Sequence, residues 1–193
     1  MKTKNLALFA SGTGSNALSI IQHFEGNPKV NVAFILCNKT TAPIVERAKS
    51  LHQRVILCTN AEVEQPHFLV NLCKENEIDL IILAGFLRKI PTNLILAYPE
   101  KIINIHPSLL PKFGGAGMYG AHVHQAVKDA NEKETGISIH YVSEEFDTGR
   151  IIAQFSVLLN SQDTIVTIQK KVQKLEQIHF ARIIEQEIVE NGK

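Results

Sequence analysis

What this sequence has little of narrows its class before any motif is considered. Only three cysteines occur, Cys37, Cys58 and Cys73. They are odd in number, lie far apart and form no Cys-x-x-Cys pair, which argues against a disulfide framework and a thiolate metal site and suits buried fillers in a reducing compartment. Excess charge is missing too. A formal net charge of +1 gives no general attraction to nucleic acid or anionic membrane, so an anionic ligand has to be met locally. No apolar run reaches the roughly 18 residues of a membrane helix. The lysines and short apolar run of "MKTKNLALFA" echo a secretory leader, but the run is too short and flows into a glycine turn, so it reads as a first strand. Internal repeats, low-complexity tracts and linkers are also lacking. What is there is 45% hydrophobic and 20% charged over 193 residues, enough for one α/β domain with a full core. The expectation is a single domain over residues 1–193, soluble and cytoplasmic.

Apolar runs alternate with helical patterns. The segments 5–10, 30–37, 54–58, 78–85 and 101–106 are near-continuous and rich in β-branched residues, as strands buried on both faces are. Between them, 15–24, 41–51 and 62–76 carry helical spacing. Such alternation predicts right-handed βαβ units in a doubly wound, mostly parallel sheet. After a helix near 122–131 the rhythm changes: 136–142 and 150–159 are joined by a loop short enough for an antiparallel pair. The tail, 164–190, spaces Ile165, Ile168, Val172, Leu175 and Ile178 as the stripe of one long amphipathic helix that packs on the sheet.

Five motifs carry possible chemistry. "ASGTGSN" (10–16) lies between the first strand and the first helix, where glycines and free helix N–H groups, with Ser15 and Asn16, suit a phosphate; it equally suits a plain turn with Ser15 as helix N-cap. It is neither G-x-G-x-x-G nor a Walker loop, so no dinucleotide or ATP is inferred. In "KIINIHPSLLP" (101–111), strand alternation puts Asn104 and His106 on one face at the carboxyl end of a strand, where open parallel sheets bind ligands. An amide N–H there can donate to a developing oxyanion, and the imidazole can donate or shuttle a proton, which suits acyl or formyl transfer; a satisfied polar pair tying down a loop is the other reading. Asp147 in "EEFDTGR" either orients that imidazole or sits in a solvated turn. His122, His124 and His140 lack the spacing and the fourth ligand of a zinc site, so no metal is expected, and His140 is placed behind Asp147. Finally, "LAGFLRKIP" (83–91) offers a backbone lip, an aromatic and Arg88 to a flat ligand with an acidic end, or else an ordinary helix entry.

Over nearly the whole chain, from "SGTGSN" through "LAGFLR", "INIHPSLLPKF", "GISIHYV" and "DTGRII" to the last helix, the sequence resembles the glycinamide ribonucleotide formyltransferases of the folate-dependent formyltransferase superfamily. The resemblance implies formyl transfer from 10-formyltetrahydrofolate to the amine of glycinamide ribonucleotide in purine biosynthesis. It implies a catalytic trio of Asn104, His106 and Asp147. For the nucleotide it implies Gly12, Thr13, Gly14, Ser15 and Asn16 at the phosphate, Gln173 and Glu176 on the last helix, and Gly85 and Pro107 along the glycinamide path. For the folate it implies Phe86, Leu87, Arg88, Lys89 and Ile90, Asn104, and the loop of Val142, Ser143, Glu144, Glu145, Phe146 and Asp147. The expected partners are these two small molecules, with no nucleic acid or membrane, in a monomer or weak homodimer.

The chain departs from the family after "LLPKF". Where the family runs Pro-Gly and soon reaches its His-x-His, this chain reads "GGAGMYG" (114–120) and is a few residues longer. That insert suits a mobile lid or simply a longer turn, and Met118 and Tyr119 receive no role. Rival readings are a formyltransferase acting on another amine, such as a sugar amine, a hydrolase of the same folate, or a non-catalytic phosphosugar- or folate-binding module.

Overall fold

The computed structural model describes residues 2–190. In chain order the elements are β1 (Lys4–Ala10), α1 (Ser15–His23), β2 (Val30–Cys37), α2 (Pro43–Ser50), β3 (Val55–Leu57), α3 (Asn60–Glu64), α4 (Phe68–Glu75) and β4 (Leu80–Leu83). There follow α5 (Thr92–Ala97), β5 (Ile102–His106), α6 (Ala121–Asp129), β6 (Glu134–Tyr141), β7 (Ile151–Leu158) and α7 (Ile165–Glu190). The strands form one sheet in the order β3-β2-β1-β4-β5-β6-β7. Pairs β1/β2, β1/β4 and β2/β3 are parallel, and β6/β7 is antiparallel, as the sequence rhythm predicts.

The chain divides into two compact units between Ile103 and Asn104. The first is built around β1, where Leu6 to Ala10 are all fully buried. That is why its sequence is continuous rather than alternating: helices cover both faces of a parallel strand. Each fully buried Leu, Ile or Phe stabilises by about 1.5–3 kcal/mol, so β1 and β2 anchor this unit. The second has β6 at its centre, buried from Thr135 to Tyr141, with β7 beside it alternating between exposed and half-buried positions as a one-sided edge strand does.

Three expectations are corrected. The helix over 62–76 is two helices: Pro66 forces Gln65 into extended backbone, and His67 turns left-handed before α4 restarts. A capping box on Thr59 and Glu62 starts the first piece. The short α5 is an element that the sequence rhythm does not mark. On α7, Ile168, Val172, Phe180 and Ile184 are buried whereas Ile178 is 40% exposed, so the buried stripe follows a four-residue step that swings past Ile178. The tail does lie on the sheet's second-unit strands: the His179 ring stacks on Phe155 at 3.6 Å, and Lys171 Nζ donates to the Leu158 carbonyl at 3.1 Å.

Candidate active site

In the first unit, β1 ends at Ala10 and the chain turns through Ser11–Gly14 into α1. Gly14 is left-handed (φ 75°) and is itself the N-cap, so Ser15 is the first helical residue rather than the cap. A Cβ on Gly14 would lie 2.2 Å from Ile44 Cδ1, so only glycine lets the loop pass this close to α2. The Ile44 N–H holds the Gly12 carbonyl at 3.2 Å, and Arg47 donates to the Thr13 carbonyl at 3.1 Å. Ser15 begins the helix and Asn16 is buried behind it. The loop thus leaves helix N–H groups at its mouth, with one arginine that sequence reasoning missed because nothing in "VERAKS" marks it.

Ser11 is a second residue whose importance only the structure reveals. It is buried; its N–H donates to the Gly85 carbonyl at 3.0 Å, its hydroxyl accepts from the Leu87 N–H at 3.0 Å, and that hydroxyl donates to Asn38 Oδ1 at 2.6 Å. One residue therefore pins the 85–87 segment to the end of β1, its main chain at Gly85 and its side chain at Leu87. Phe86 is buried edge-on to Phe9 with centroids 5.4 Å apart, Ile90 is buried, and Leu87 and Lys89 face outward. Residues 85–91 are themselves non-helical but lead into α5, with Pro91 as its N-cap, so the motif does serve as a helix entry. Arg88 is ion-paired with Glu64.

The second unit holds Asn104, His106 and Asp147 together. His106 Nδ1 lies 3.4 Å from Asp147 Oδ2, and Asn104 Nδ2 lies 3.1 Å from His140 Nε2. His140 Nε2 is 3.6 Å from Asp147 Oδ1, beyond hydrogen-bond length, so His140 sits behind Asp147 but engages Asn104 more closely. The His140 Nδ1–H donates to its neighbour's carbonyl on Tyr141 at 2.8 Å, which makes Nε2 the acceptor for the Asn104 amide. One Asn104 N–H is thereby fixed and the other is left for a ligand.

The end of "LLPKF" and the start of the glycine-rich insert meet the trio directly. His106 Nε2 is 2.8 Å from the Phe113 carbonyl, and the Gly115 N–H donates to Asp147 Oδ2 at 2.9 Å. Ser108 Oγ holds the Lys112 carbonyl at 2.7 Å, and Ser138 ties the Leu110 N–H to the Ser108 carbonyl. These main-chain groups have no side-chain signature, which is why the sequence shows only a lid or a turn. Pro107, half-buried, follows the last residue of β5.

Burial pushes the His106 imidazole below the usual histidine range, with His140 adding to the depression and the Asp147 carboxylate and Phe113 carbonyl opposing it. Burial alone would raise the Asp147 carboxyl, but the His140 and His106 rings and the Gly115 N–H outweigh it and hold the group below the usual carboxylate range. The Gly115 N–H supplies its part of that support whatever the charge on the rings. The site at neutral pH is a carboxylate beside a neutral imidazole and an oriented amide.

Of the remaining expected residues, Asp147 has φ +57° at the tip of a tight loop in which Ser143 Oγ bonds the Glu145 carbonyl and the Thr148 hydroxyl. A Cβ on Gly149 would fall 1.8 Å from the Tyr141 carbonyl, so glycine is obligatory where this loop rejoins the sheet. Val142 and Ser143 are half-buried, Glu144, Glu145 and Phe146 are exposed, and on α7 Gln173 is exposed and Glu176 half-buried. His122 is exposed and His124 buried, its Nδ1 without a hydrogen-bond partner among the described residues; burial first, then the His106 charge, holds its imidazole below the usual range.

Residues 4–184 match the family model described as formyl transferase. The phosphoribosylglycinamide formyltransferase of Bacillus subtilis is 38% identical over 190 residues, covering 95% of this chain and 94% of that protein. A chloroplastic phosphoribosylglycinamide formyltransferase of Arabidopsis thaliana is 39% identical over 177 residues, 89% of this chain and 61% of that one, so the chain spans about three fifths of the plant protein's length. Among solved structures, the phosphoribosylglycinamide formyltransferase of Bacillus halodurans superposes with a TM-score of 0.86 at 37% identity over 95% of this chain and 94% of that chain. A sheet with parallel strands and an antiparallel final pair, an Asn-x-His strand end meeting an aspartate, and a family match over nearly the full length lead to one conclusion: the chain belongs to the formyl transferase family.

Proposed function

We propose that this protein transfers the formyl group of 10-formyltetrahydrofolate to the primary amine of glycinamide ribonucleotide, in de novo purine biosynthesis, and that residues 1–193 act as one formyltransferase domain in the cytoplasm, as a monomer or weak homodimer. The observation that carries the reading is the second-unit cluster: an amide with one N–H held by His140 and one left over, beside a histidine–carboxylate pair. The amine attacks the formyl carbon; a C–N bond forms and the carbonyl electron pair moves to oxygen. The free Asn104 N–H donates to that oxyanion. His106, on taking a proton, adds a positive charge beside it, with Asp147 supporting that charge. The proton lost by the attacking amine is delivered to N10 of the folate as the C–N10 bond breaks and the carbonyl re-forms, so the products are the formamide and tetrahydrofolate.

Binding is assigned to groups that suit each ligand. The nucleotide phosphate takes the N–H groups of Gly12 to Asn16, with Gln173 and Glu176 at the ribose end and Gly85 and Pro107 along the glycinamide. The folate takes the 85–90 segment, where Arg88 reaches the acidic tail in exchange for Glu64, and the 142–147 loop. No metal is required by these steps. The test is a formyl-transfer assay with glycinamide ribonucleotide, with sugar amines and with no acceptor. Turnover that depends on the ribonucleotide is expected; turnover only with a sugar amine, or undiminished without acceptor, would replace this reading with one of its rivals.

A further inference from the structure

Phe113, which ends "LLPKF", and Gly115 in the glycine-rich insert meet the trio through two main-chain atoms two residues apart. A carbonyl oxygen only accepts hydrogen bonds, so the ring nitrogen 2.8 Å from the Phe113 carbonyl carries the hydrogen, and that nitrogen is Nε2. In the neutral ring Nδ1 then holds a lone pair, and it faces Asp147 Oδ2 at 3.4 Å. Two acceptors with no hydrogen between them keep such a distance. The carboxylate instead takes its hydrogen from the Gly115 N–H at 2.9 Å. We propose that the main chain at Phe113 and Gly115 is a positioning element of the catalytic pair: it holds neutral His106 in the Nε2–H form, so that Nδ1, on the Asp147 side, is the atom that takes the proton during formyl transfer.

The inference rests on the formyl-transfer reading for its last clause. In that step a proton leaves the attacking amine for Nδ1 as the C–N bond forms, and leaves Nδ1 for the folate N10 as the C–N10 bond breaks; nothing is oxidised or reduced. The titratable groups that face His106 are Asp147 from its loop, His140 from β6 and His124 from α6. Asp147 favours a proton on the ring and His140 opposes it, so the proton is accepted against burial and readily returned. The glycines nearest the pair fit this role. A Cβ on Gly114 would lie 2.5 Å from Leu110 Cδ2 and 3.3 Å from Asp147 Cβ, and Gly115 is left-handed at φ +96°. Met118, whose N–H closes a turn on the Gly115 carbonyl, lies outside these contacts.

Nitrogen-15 NMR of the histidine-labelled full-length protein at pH 8, with His106 identified by its loss in the His106→Asn spectrum, reads the tautomer directly. A protonated Nε2 and bare Nδ1 are expected; the opposite tautomer overturns the proposal whether or not the enzyme is active on the ribonucleotide. In kinetics, Gly114→Ala should lower kcat about tenfold, the size of one lost hydrogen bond. The KM for the nucleotide should stay unchanged and the acid limb of the kcat profile should move, while Met118→Ala keeps the parental profile. Parental kcat and pH profile in Gly114→Ala would also overturn it. Should Gly114→Ala fail to fold, the tautomer in the parental protein decides.

Discussion

The two units solve different problems with different parts of the chain. In the first, the loops after β1 and β4 present main-chain N–H and carbonyl groups, held in place by Ser11, Ile44 and Arg47. In the second, buried side chains converge: His106 is 3% exposed and His140 2%. Binding an anion or a flat ring needs many weak donors of fixed direction, which backbone supplies without any special side chain. Moving a proton and stabilising an oxyanion needs particular side chains in a low-dielectric setting, where each hydrogen bond counts for more. Substitutions in the second unit's buried cluster of Asn104, His106, Asp147 and His140 should therefore act on kcat, and those in the first unit's loops on KM.

The largest effect expected is for Asn104→Ala, a folded protein with kcat lowered about a hundredfold or more, the typical cost of one oxyanion donor; His106→Ala should behave alike. Asp147→Asn comes next, about a hundredfold in kcat with nucleotide KM little changed, checked by steady-state kinetics on both substrates. His140→Ala should cost about tenfold in kcat, because the Asn104 amide loses the acceptor that orients it. Gly14→Ala breaks the comparison from the other side: the nucleotide KM should rise with kcat near parental, and the protein should lose about 1–3 kcal/mol of stability in denaturant titration from the left-handed backbone and the Ile44 overlap. Should Gly14→Ala lower kcat alone, the division of labour between the units would be wrong.

Acid is expected to have the smallest effect, on stability. The His106 pKa is held below its ordinary 6.5, so the unfolded chain binds that proton more readily than the folded one. Its contribution to stability is full above about pH 6.5 and is lost as pH falls through the folded value. Asp147, also depressed, behaves the same way at lower pH, its contribution full above its ordinary 3.8 and lost beneath it. Thermal unfolding at pH 7.5 and 5.5 should show a drop that shrinks in His106→Asn.

Which of these features the sequence reveals follows the same division. Asn104, His106 and Asp147 are side-chain chemistry, and strand alternation with Pro107 at the end of β5 is enough to place the first two on one face. The strands of the first unit are legible because a β-branched, continuous run has few other uses. Main-chain devices are not: Phe113 and Gly115 act through atoms every residue has, and only the glycines hint that something passes close by. Pro66 is visible in the sequence, yet the spacing around it looks helical on both sides, so one helix is expected where Gln65 and His67 separate two. Ile178 fails for a geometric reason, since over 26 residues a stripe of threes and fours drifts around a helix.

The measurement that bears most directly on the proposed chemistry is a crystal structure of the protein with glycinamide ribonucleotide and a non-reacting analogue of 10-formyltetrahydrofolate. The formyl oxygen is expected within hydrogen-bond reach, about 2.7–3.1 Å, of Asn104 Nδ2, with the nucleotide amine on the Asp147 side. A formyl group bound away from Asn104, with His106 and Asp147 facing only solvent, would contradict it.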